Sequence, residues 1–431
     1  MRSCGGCRSA RIGGLRMWAE YSGCMDGMAR RVAMVSMHTA PDAAPGTADA
    51  GGMNVAILGT ALELAARGVA VDLLTRATGD PRVTTLAEGV TLHALPAGAN
   101  GPVDKQHLAT VADEFGEAVA RLAGRHRARY DLIHAHYWLS GIATLPAAIE
   151  LGLPFVQSFH TLAAMKNASP TDGVPVEDER RLRSETYLAT QADATVASSS
   201  AEVAALIDLV HAPAERLWVI PPGVDTTLFT PDRARSAAAV RRSLGIGADR
   251  QILAVAGRVQ PLKGQDVAIR ALAAMTAPRP LLVLAGEPTP GAEGYLADLE
   301  TLAVQLGVAD DVRVVGALDR SALADLLAAA SLTLMPSTSE TFGLVALESA
   351  ASGTPVLATR TTGLEEAVAE GESGLFIGSR DPAEWARVLE ALLGDRRMLS
   401  VLSTTARSHA EGFSWGATAT GLLGVYASLW A

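Results

Sequence analysis

Short apolar runs recur along this chain, each followed by a loop and a stretch of helical periodicity, and that alternation leaves few folds open. Residues 32–37 (VAMVSM), 69–74, 131–136, 155–160, 194–198 and 217–220 read as strands, with a weaker one at 89–95. Mostly apolar runs of this length that alternate with helical patterns mark strands of a parallel sheet covered by helices on both faces. Helical patterns separate the strands. Residues 53–67 carry Leu58, Leu62 and Leu64, residues 104–123 are amphipathic, and 177–191 carry Arg180, Arg181, Arg183 and Glu185. Pro221-Pro222-Gly223 and Pro231-Asp232 bracket a non-periodic linker. A second series follows, with strands at 252–256, 281–285, 312–315, 332–335 and 356–358 and a first helix at 265–275. The predicted fold class is α/β, with two tandem doubly wound (Rossmann-like) domains facing an interdomain cleft. They span 28–222 and 223–413, and the helical pattern at 414–431 joins the first. A length of 431 residues agrees with two cores.

Hydrophobic residues make up 49% and charged residues 19% of the chain. No apolar run is long enough to cross a bilayer. A net charge of −10 argues against nucleic acid or an anionic membrane surface as a partner. A phosphorylated ligand therefore needs a local basic pocket. The three cysteines, Cys4, Cys7 and Cys24, all precede Met28. The body of the chain thus has neither a disulfide framework nor a cysteine-ligated metal. Cys4 and Cys7 form a C-x-x-C with no strand or βαβ unit around it, and the segment lacks a secretory apolar core. Residues 1–27 are expected to be a disordered extension, and the compartment the cytoplasm.

Doubly wound sheets bind ligands beyond the carboxyl ends of their strands. His38, Tyr137, His160 and Thr161 fall at or just past such ends. Gly51-Gly52 ends the loop after the first strand and Met53-Asn54 opens a helix; glycine lets backbone approach a ligand and the helix end favours phosphate. Taken alone, the pair is equally a tight turn. Neither G-x-G-x-x-G nor G-x-x-x-x-G-K-[ST] occurs. Residues 257–264 (GRVQPLKG) place Arg258 and Lys263 after the first strand of the second series, a planar fork and a mobile point charge for a phosphate. As an isolated pair they read first as two solvated cations. Residues 336–356 (PSTSETFGLVALESAASGTPV) run from a loop into a helical pattern that starts at Phe342. Glu340 precedes the helix and Glu348 lies inside it. Free N–H groups and the dipole at that helix end favour an anion, and the carboxylates can accept hydrogen bonds from sugar and ribose hydroxyls. Singly, each is equally an ordinary helix acid.

Taken whole, 336–356 resembles the E-x7-E element of the large retaining glycosyltransferase family 4, which includes sucrose and glycogen synthases. The likeness continues through Phe342-Gly343-Leu344 and Gly353-Thr354-Pro355-Val356 and covers 31–431. His38-Thr39, 51–55 (GGMNV), 134–141 (HAHYWLSG), 160–167 (HTLAAMKN), 257–264 and Phe413-Ser414-Trp415 are similar to a narrower branch, the inositol-phosphate glycosyltransferases of mycothiol biosynthesis. The resemblance implies the GT-B architecture, with the acceptor in the first domain and the nucleotide sugar in the second. It implies transfer of N-acetylglucosamine from UDP-N-acetylglucosamine to 1D-myo-inositol 3-phosphate with retained configuration and no enzyme-bound glycosyl intermediate; with no acidic cluster on the motif loops, neither cofactor nor metal is expected. Arg258 and Lys263 would stabilise the departing diphosphate, which the amides of Phe342, Gly343 and Leu344 face. Glu340 would hold the donor sugar, Glu348 the ribose, and Leu318 would lie near the base. Gly52 would touch the donor and His160 line its sugar. The implied catalytic set is Arg258, Lys263, Glu340 and His160.

On the acceptor side the resemblance implies Lys105, Tyr137, Thr161 and Arg181 around the phosphate, with His38 and Asn54 beside it. A phosphate dianion needs about two cations plus neutral donors to offset its desolvation, which that set supplies. Outside the resemblance, Lys105 and Arg181 are equally solvated helix residues and Tyr137 a core-edge aromatic. Ala56, Thr341, 284–288 and 316–320 depart from the family's usual strings, which bears on the contacts near the base. Alternatives are a related transferase with another acceptor (a sugar phosphate, as in sucrose-phosphate synthases, or a lipid-linked glycan), a nucleotide-sugar epimerase, or a silent sugar-nucleotide binder. A homodimer is left open as the assembly.

Overall fold

The computed structural model describes residues 10–12, 15–17 and 29–430, apart from 48, 104, 126–129, 171–173, 290–291 and 362. The strands of the first half are β1 (Ala10–Ile12), β2 (Leu15–Met17), β3 (Arg31–Val35), β4 (Ala70–Arg76), β5 (Arg82–Ala87), β6 (Val90–Leu95), β7 (Leu132–His136), β8 (Phe155–Ser158), β9 (Ala194–Ala197) and β10 (Leu217–Val219). They form one sheet in the order β1-β2-β10-β9-β8-β7-β3-β4-β6-β5. Pairing is parallel from β2 across to β6 and antiparallel at the two edges, β1 with β2 and β5 with β6. The second half contributes β11 (Ile252–Ala256), β12 (Leu281–Ala285), β13 (Val312–Gly316), β14 (Leu332–Met335), β15 (Val356–Thr359) and β16 (Gly374–Ile377). This second sheet is wholly parallel, in the order β13-β12-β11-β14-β15-β16. Both halves are thus doubly wound α/β units, as the alternation of apolar runs predicts.

Each sheet is covered on both faces. Phe115, Phe155 and Phe159 pack on one side of the first, and Ile57, Leu64 and Tyr426 on the other. Trp385 and Leu389 cover one side of the second, and Phe229 and Leu347 the other. In each sheet the winding direction reverses between two adjacent strands, β3 and β7 in the first and β11 and β14 in the second. Their carboxyl ends open a crevice, the usual ligand position in such sheets.

The chain crosses between the halves twice. After β10 it enters the second unit, and the helix Trp415–Ser428 returns to the first, where Leu422, Leu423, Val425 and Tyr426 pack with Ile57, Ala61 and Leu64. The two crossings lie side by side. Val224 N donates to Phe413 O at 2.9 Å, and Thr418 Oγ1 donates to Pro221 O at 2.8 Å. A Cβ on Gly223 would sit 2.2 Å from Trp415 N, so only glycine permits this approach.

Some elements differ from expectation. β5 and β16 are additional strands. The helix expected over 104–123 is a 3-10 segment, Lys105–Val111, followed by an α-helix, Ala112–Arg125; the β-branched Thr110 and Val111 sit at the break, where such residues weaken an α-helix. Within the segment expected to be disordered, β1 and β2 extend the first sheet beyond β10. Cys4, Cys7 and Cys24 lie outside the described residues. No helix among the described residues is long and apolar enough to cross a membrane.

Candidate active site

The carboxyl ends of both sheets face one cleft of about 1750 Å³, walled by both halves of the chain. Gly46 O accepts from Glu287 N at 3.2 Å, Ser199 Oγ donates to Thr341 O at 3.0 Å, and Arg258 Nη1 meets Asp49 Oδ1 at 3.5 Å. Of the residues singled out in the sequence, His38, Gly52, Tyr137, His160, Thr161, Arg181, Arg258, Leu318, Lys263, Glu340, Phe342, Gly343, Leu344 and Glu348 all line this space. Asn54 does not. It is 1% exposed and its amide is engaged locally. Its Oδ1 accepts from Gly51 N at 3.1 Å, while Nδ2 donates to Ala40 O at 2.7 Å and to Thr39 Oγ1 at 3.1 Å. It therefore shapes the 39–51 loop from beneath. The side chain of Lys105 lies outside the described residues.

On the second-domain wall, Lys263 Nζ donates to Glu340 Oε1 at 2.5 Å, and Ser337 Oγ to the same oxygen at 2.9 Å. Arg258 is steadied by Gln265 Nε2 on its carbonyl at 3.0 Å. Gly343 caps the helix Leu344–Ala351 at φ 91°, and a Cβ there would meet Leu364 Cδ2 at 2.3 Å. No side chain caps this helix, and Gly343, Leu344 and Val345 at its start line the same cleft as Arg258 and Lys263. Glu348 is fully buried and paired with Arg320. Burial pushes its carboxyl above the usual range, against the pull of Arg320. Arg320 also lies over the Phe229 ring, 4.7 Å from its centroid.

On the first-domain wall, Tyr137 (φ 73°) and His160 (φ 61°) hold left-handed backbone conformations at the ends of β7 and β8. Non-glycine residues hold such angles at a cost of about 1–3 kcal/mol each and cluster at functional sites. His160 Nε2 meets His136 Nδ1 at 2.8 Å. His134, stacked on His136 with centroids 4.3 Å apart, meets Tyr426 Oη at 2.7 Å and Ser158 Oγ at 2.9 Å. Burial lowers His134 to about 3 and His160 to about 4 and carries His136 well below its ordinary value. All three are neutral near pH 7.

Beside them Arg181 is 3% exposed. Its Nη2 donates to Thr161 O and Oγ1, both at 3.0 Å. Its Nε donates to Glu185 Oε1 at 2.7 Å, and Nη1 lies 2.7 Å from Glu177 Oε1. Its Cζ stands 5.0 Å from the Tyr137 ring centroid, and the His38 ring packs against the same ring, centroids 4.4 Å apart. Burial raises the Tyr137 hydroxyl above its ordinary value. Sequence reasoning gave no role to Lys166, Glu177, Arg320, Asp49 or His136, which also line the cleft (His136 as the partner of His160). Lys166 and His136 at least stand inside the strings 160–167 and 134–141. Among the described residues no three His, Cys, Asp or Glu side chains are grouped to hold a metal ion.

Residues 51–223 match the family model described as Glycosyl transferase 4-like domain, and residues 237–409 the one described as Glycosyl transferases group 1. The D-inositol 3-phosphate glycosyltransferase of Stackebrandtia nassauensis is 43% identical over 406 residues, covering 92% of this chain and 91% of the relative. That of Nocardiopsis dassonvillei is 44% identical over 408 residues, covering 92% and 94%. The chain belongs to the D-inositol 3-phosphate glycosyltransferase family. It is a glycosyltransferase of the GT-B fold. Among solved structures, sucrose-phosphate synthase from Thermosynechococcus elongatus superposes with a TM-score of 0.86 at 30% identity, covering 93% of this chain and 99% of that one. HepE of Anabaena, solved with UDP and glucose, superposes with a TM-score of 0.74 at 21% identity over 91% and 98%, a likeness of fold.

Proposed function

We propose that this enzyme moves N-acetylglucosamine from UDP-N-acetylglucosamine to 1D-myo-inositol 3-phosphate with retained configuration, a step of mycothiol biosynthesis in the cytoplasm. The observation that carries the reading is the presence of cationic side chains on two walls that face each other across one cleft. Arg258, Lys263 and the amides after Gly343 stand on one. Arg181, Thr161 and Tyr137 stand on the other. The first suits a nucleotide diphosphate and the second a phosphorylated acceptor. The names borne by the relatives in Stackebrandtia and Nocardiopsis agree with that acceptor.

In this mechanism the C1–O bond of the donor breaks and charge develops on the diphosphate oxygen. Arg258, Lys263 and the helix amides stabilise it, which is usually the largest catalytic contribution. The acceptor hydroxyl attacks from the face the diphosphate leaves, and its proton passes to that oxygen. Glu340 and Glu348 act as hydroxyl acceptors for sugar and ribose, Glu348 oriented by Arg320, and not as a glycosidase acid and nucleophile pair. His160, neutral and anchored by His136, presents a polar edge to the donor sugar. The deciding experiment is UDP release from UDP-N-acetylglucosamine with and without 1D-myo-inositol 3-phosphate. Release that the inositol phosphate does not stimulate, but fructose 6-phosphate does, rejects the acceptor.

A further inference from the structure

Every nitrogen of the Arg181 guanidinium has an acceptor within the protein. Nε meets Glu185, Nη2 meets both oxygens of Thr161, and Nη1 meets Glu177 Oε1. That same Glu177 oxygen also accepts from Lys166 Nζ, again at 2.7 Å. One carboxylate oxygen thus bridges two cations carried by separate helices, Ala163–Ala168 and Glu179–Gln191, on the cleft wall. Arg181 faces Glu185 and Tyr137 as well, but of its two carboxylate partners only the one on Nη1 is partly exposed. The Glu177 side chain is 24% exposed, whereas that of Glu185 is 1% exposed.

The Glu177 backbone is fixed. Its N donates to Asn167 Oδ1 at 2.9 Å, and its carbonyl accepts from Asn167 Nδ2 at 3.1 Å. The carboxylate can therefore turn aside about its own side-chain bonds with no movement of the main chain. Burial, then the charge of Arg181, lower Lys166 below its ordinary value, and Glu177 opposes both. The two cations repel each other and are reconciled by one anion.

We infer that Lys166 is a further binding residue for the acceptor's phosphate, and that Glu177 holds the position between Lys166 and Arg181 that a phosphate oxygen takes. This rests on the phosphorylated-acceptor reading. A phosphate monoester brings nearly two charges and three strong acceptor oxygens. It can bridge Lys166 and Arg181 while still meeting Thr161 and Tyr137. A neutral polyol, or an acceptor with a single carboxylate, cannot displace a tethered carboxylate from two cations. Glu177 therefore acts as a threshold that favours phosphorylated acceptors over their neutral parents.

The test is calorimetric titration of the full chain with 1D-myo-inositol 3-phosphate, myo-inositol, inorganic phosphate and UDP, with acceptor kinetics alongside. Lys166→Met should weaken the inositol phosphate about 10- to 100-fold, the scale of one charge-assisted hydrogen bond. It should raise the acceptor KM far more than it lowers kcat, and Lys166→Arg should recover most of the loss. Glu177→Gln should tighten inorganic phosphate roughly three- to tenfold, the scale of removing one competing ion pair. Unchanged acceptor binding in Lys166→Met, or weaker phosphate binding in Glu177→Gln, overturns the inference while leaving the acceptor reading in place. A wild-type chain that does not distinguish inositol 3-phosphate from myo-inositol overturns both.

Discussion

Arg181→Ala removes a guanidinium whose side chain is 4% exposed and strands Glu185, 1% exposed, without the partner that meets it at 2.7 Å. Breaking a buried pair by deleting one member typically costs about 3–5 kcal/mol. In a domain of this size each kcal/mol moves the melting temperature by about 2–4 °C, so a drop of roughly 6–20 °C is expected near neutral pH. The cost should depend on pH. Burial already raises the Glu185 carboxyl, with Arg181 pulling it down; without Arg181 it rises further. A carboxyl whose folded pKa exceeds its unfolded value withdraws stability as pH climbs from the unfolded value through the folded one. The deficit should therefore be small at about pH 5 and large at about pH 8. Arg181→Ala/Glu185→Gln removes the stranded charge, so it should recover most of the melting temperature, bind UDP, and still bind inositol phosphate poorly. The assay is thermal melting of wild type, single and double variants at both pH values, followed by titration with each ligand. Equal melting of the single variant and wild type at the higher pH, or no recovery in the double, refutes the buried-pair reasoning. Equal loss of UDP and inositol phosphate binding in the folded double variant refutes the acceptor role.

Lys263→Ala should lower turnover by about 10²–10³-fold, the scale for one oxyanion-type donor, and a UDP-release assay that finds unchanged turnover contradicts its place at the leaving group. Gly343→Ala imposes a side chain at φ 91° and 2.3 Å from Leu364; strain and overpacking should cost roughly 2–4 kcal/mol, read by melting, and UDP affinity should fall with it. Burial raises Glu202 to about 7, against the hydrogen bonds it accepts from Ser198. Its folded pKa exceeds the unfolded one, so stability is withdrawn as pH rises between the two. Glu202→Gln should match wild type at about pH 5 and melt higher at about pH 8; the reverse order rejects that assignment.

The strands that carry the site are legible in the sequence because both their faces are buried. Runs such as 252–256 and 281–285 contain no polar residue to confuse the period, and the residues just after them are then candidates by position alone. β5 reads poorly for the opposite reason. Arg82, Val83 and Thr85 are exposed on an edge paired on one side only, so little burial shapes its composition. Asn54 shows the limit of motif reasoning. Its neighbours Gly51, Gly52 and Met53 line the cleft, while it turns inward to hold the loop. Lys166, Glu177 and Arg320 are ordinary charged residues in sequence. The ion pair of Glu177 with Arg181 has the local i,i+4 spacing, but the partners of Lys166 and Arg320 lie 11 and 28 positions away, and no local pattern encodes those two.

The contact between Gly223 and Trp415, where an added Cβ would come within 2.2 Å of backbone, has a mechanical meaning. Two peptide segments pinned together at the back of the cleft form a double-pin hinge, in which both must twist whenever the lobes turn. Rotation about the line through the pins is cheap, whereas sliding or swivelling one lobe freely past the other would strain both segments. Any turning of one lobe against the other would have to twist both segments together, which favours a single arc of motion.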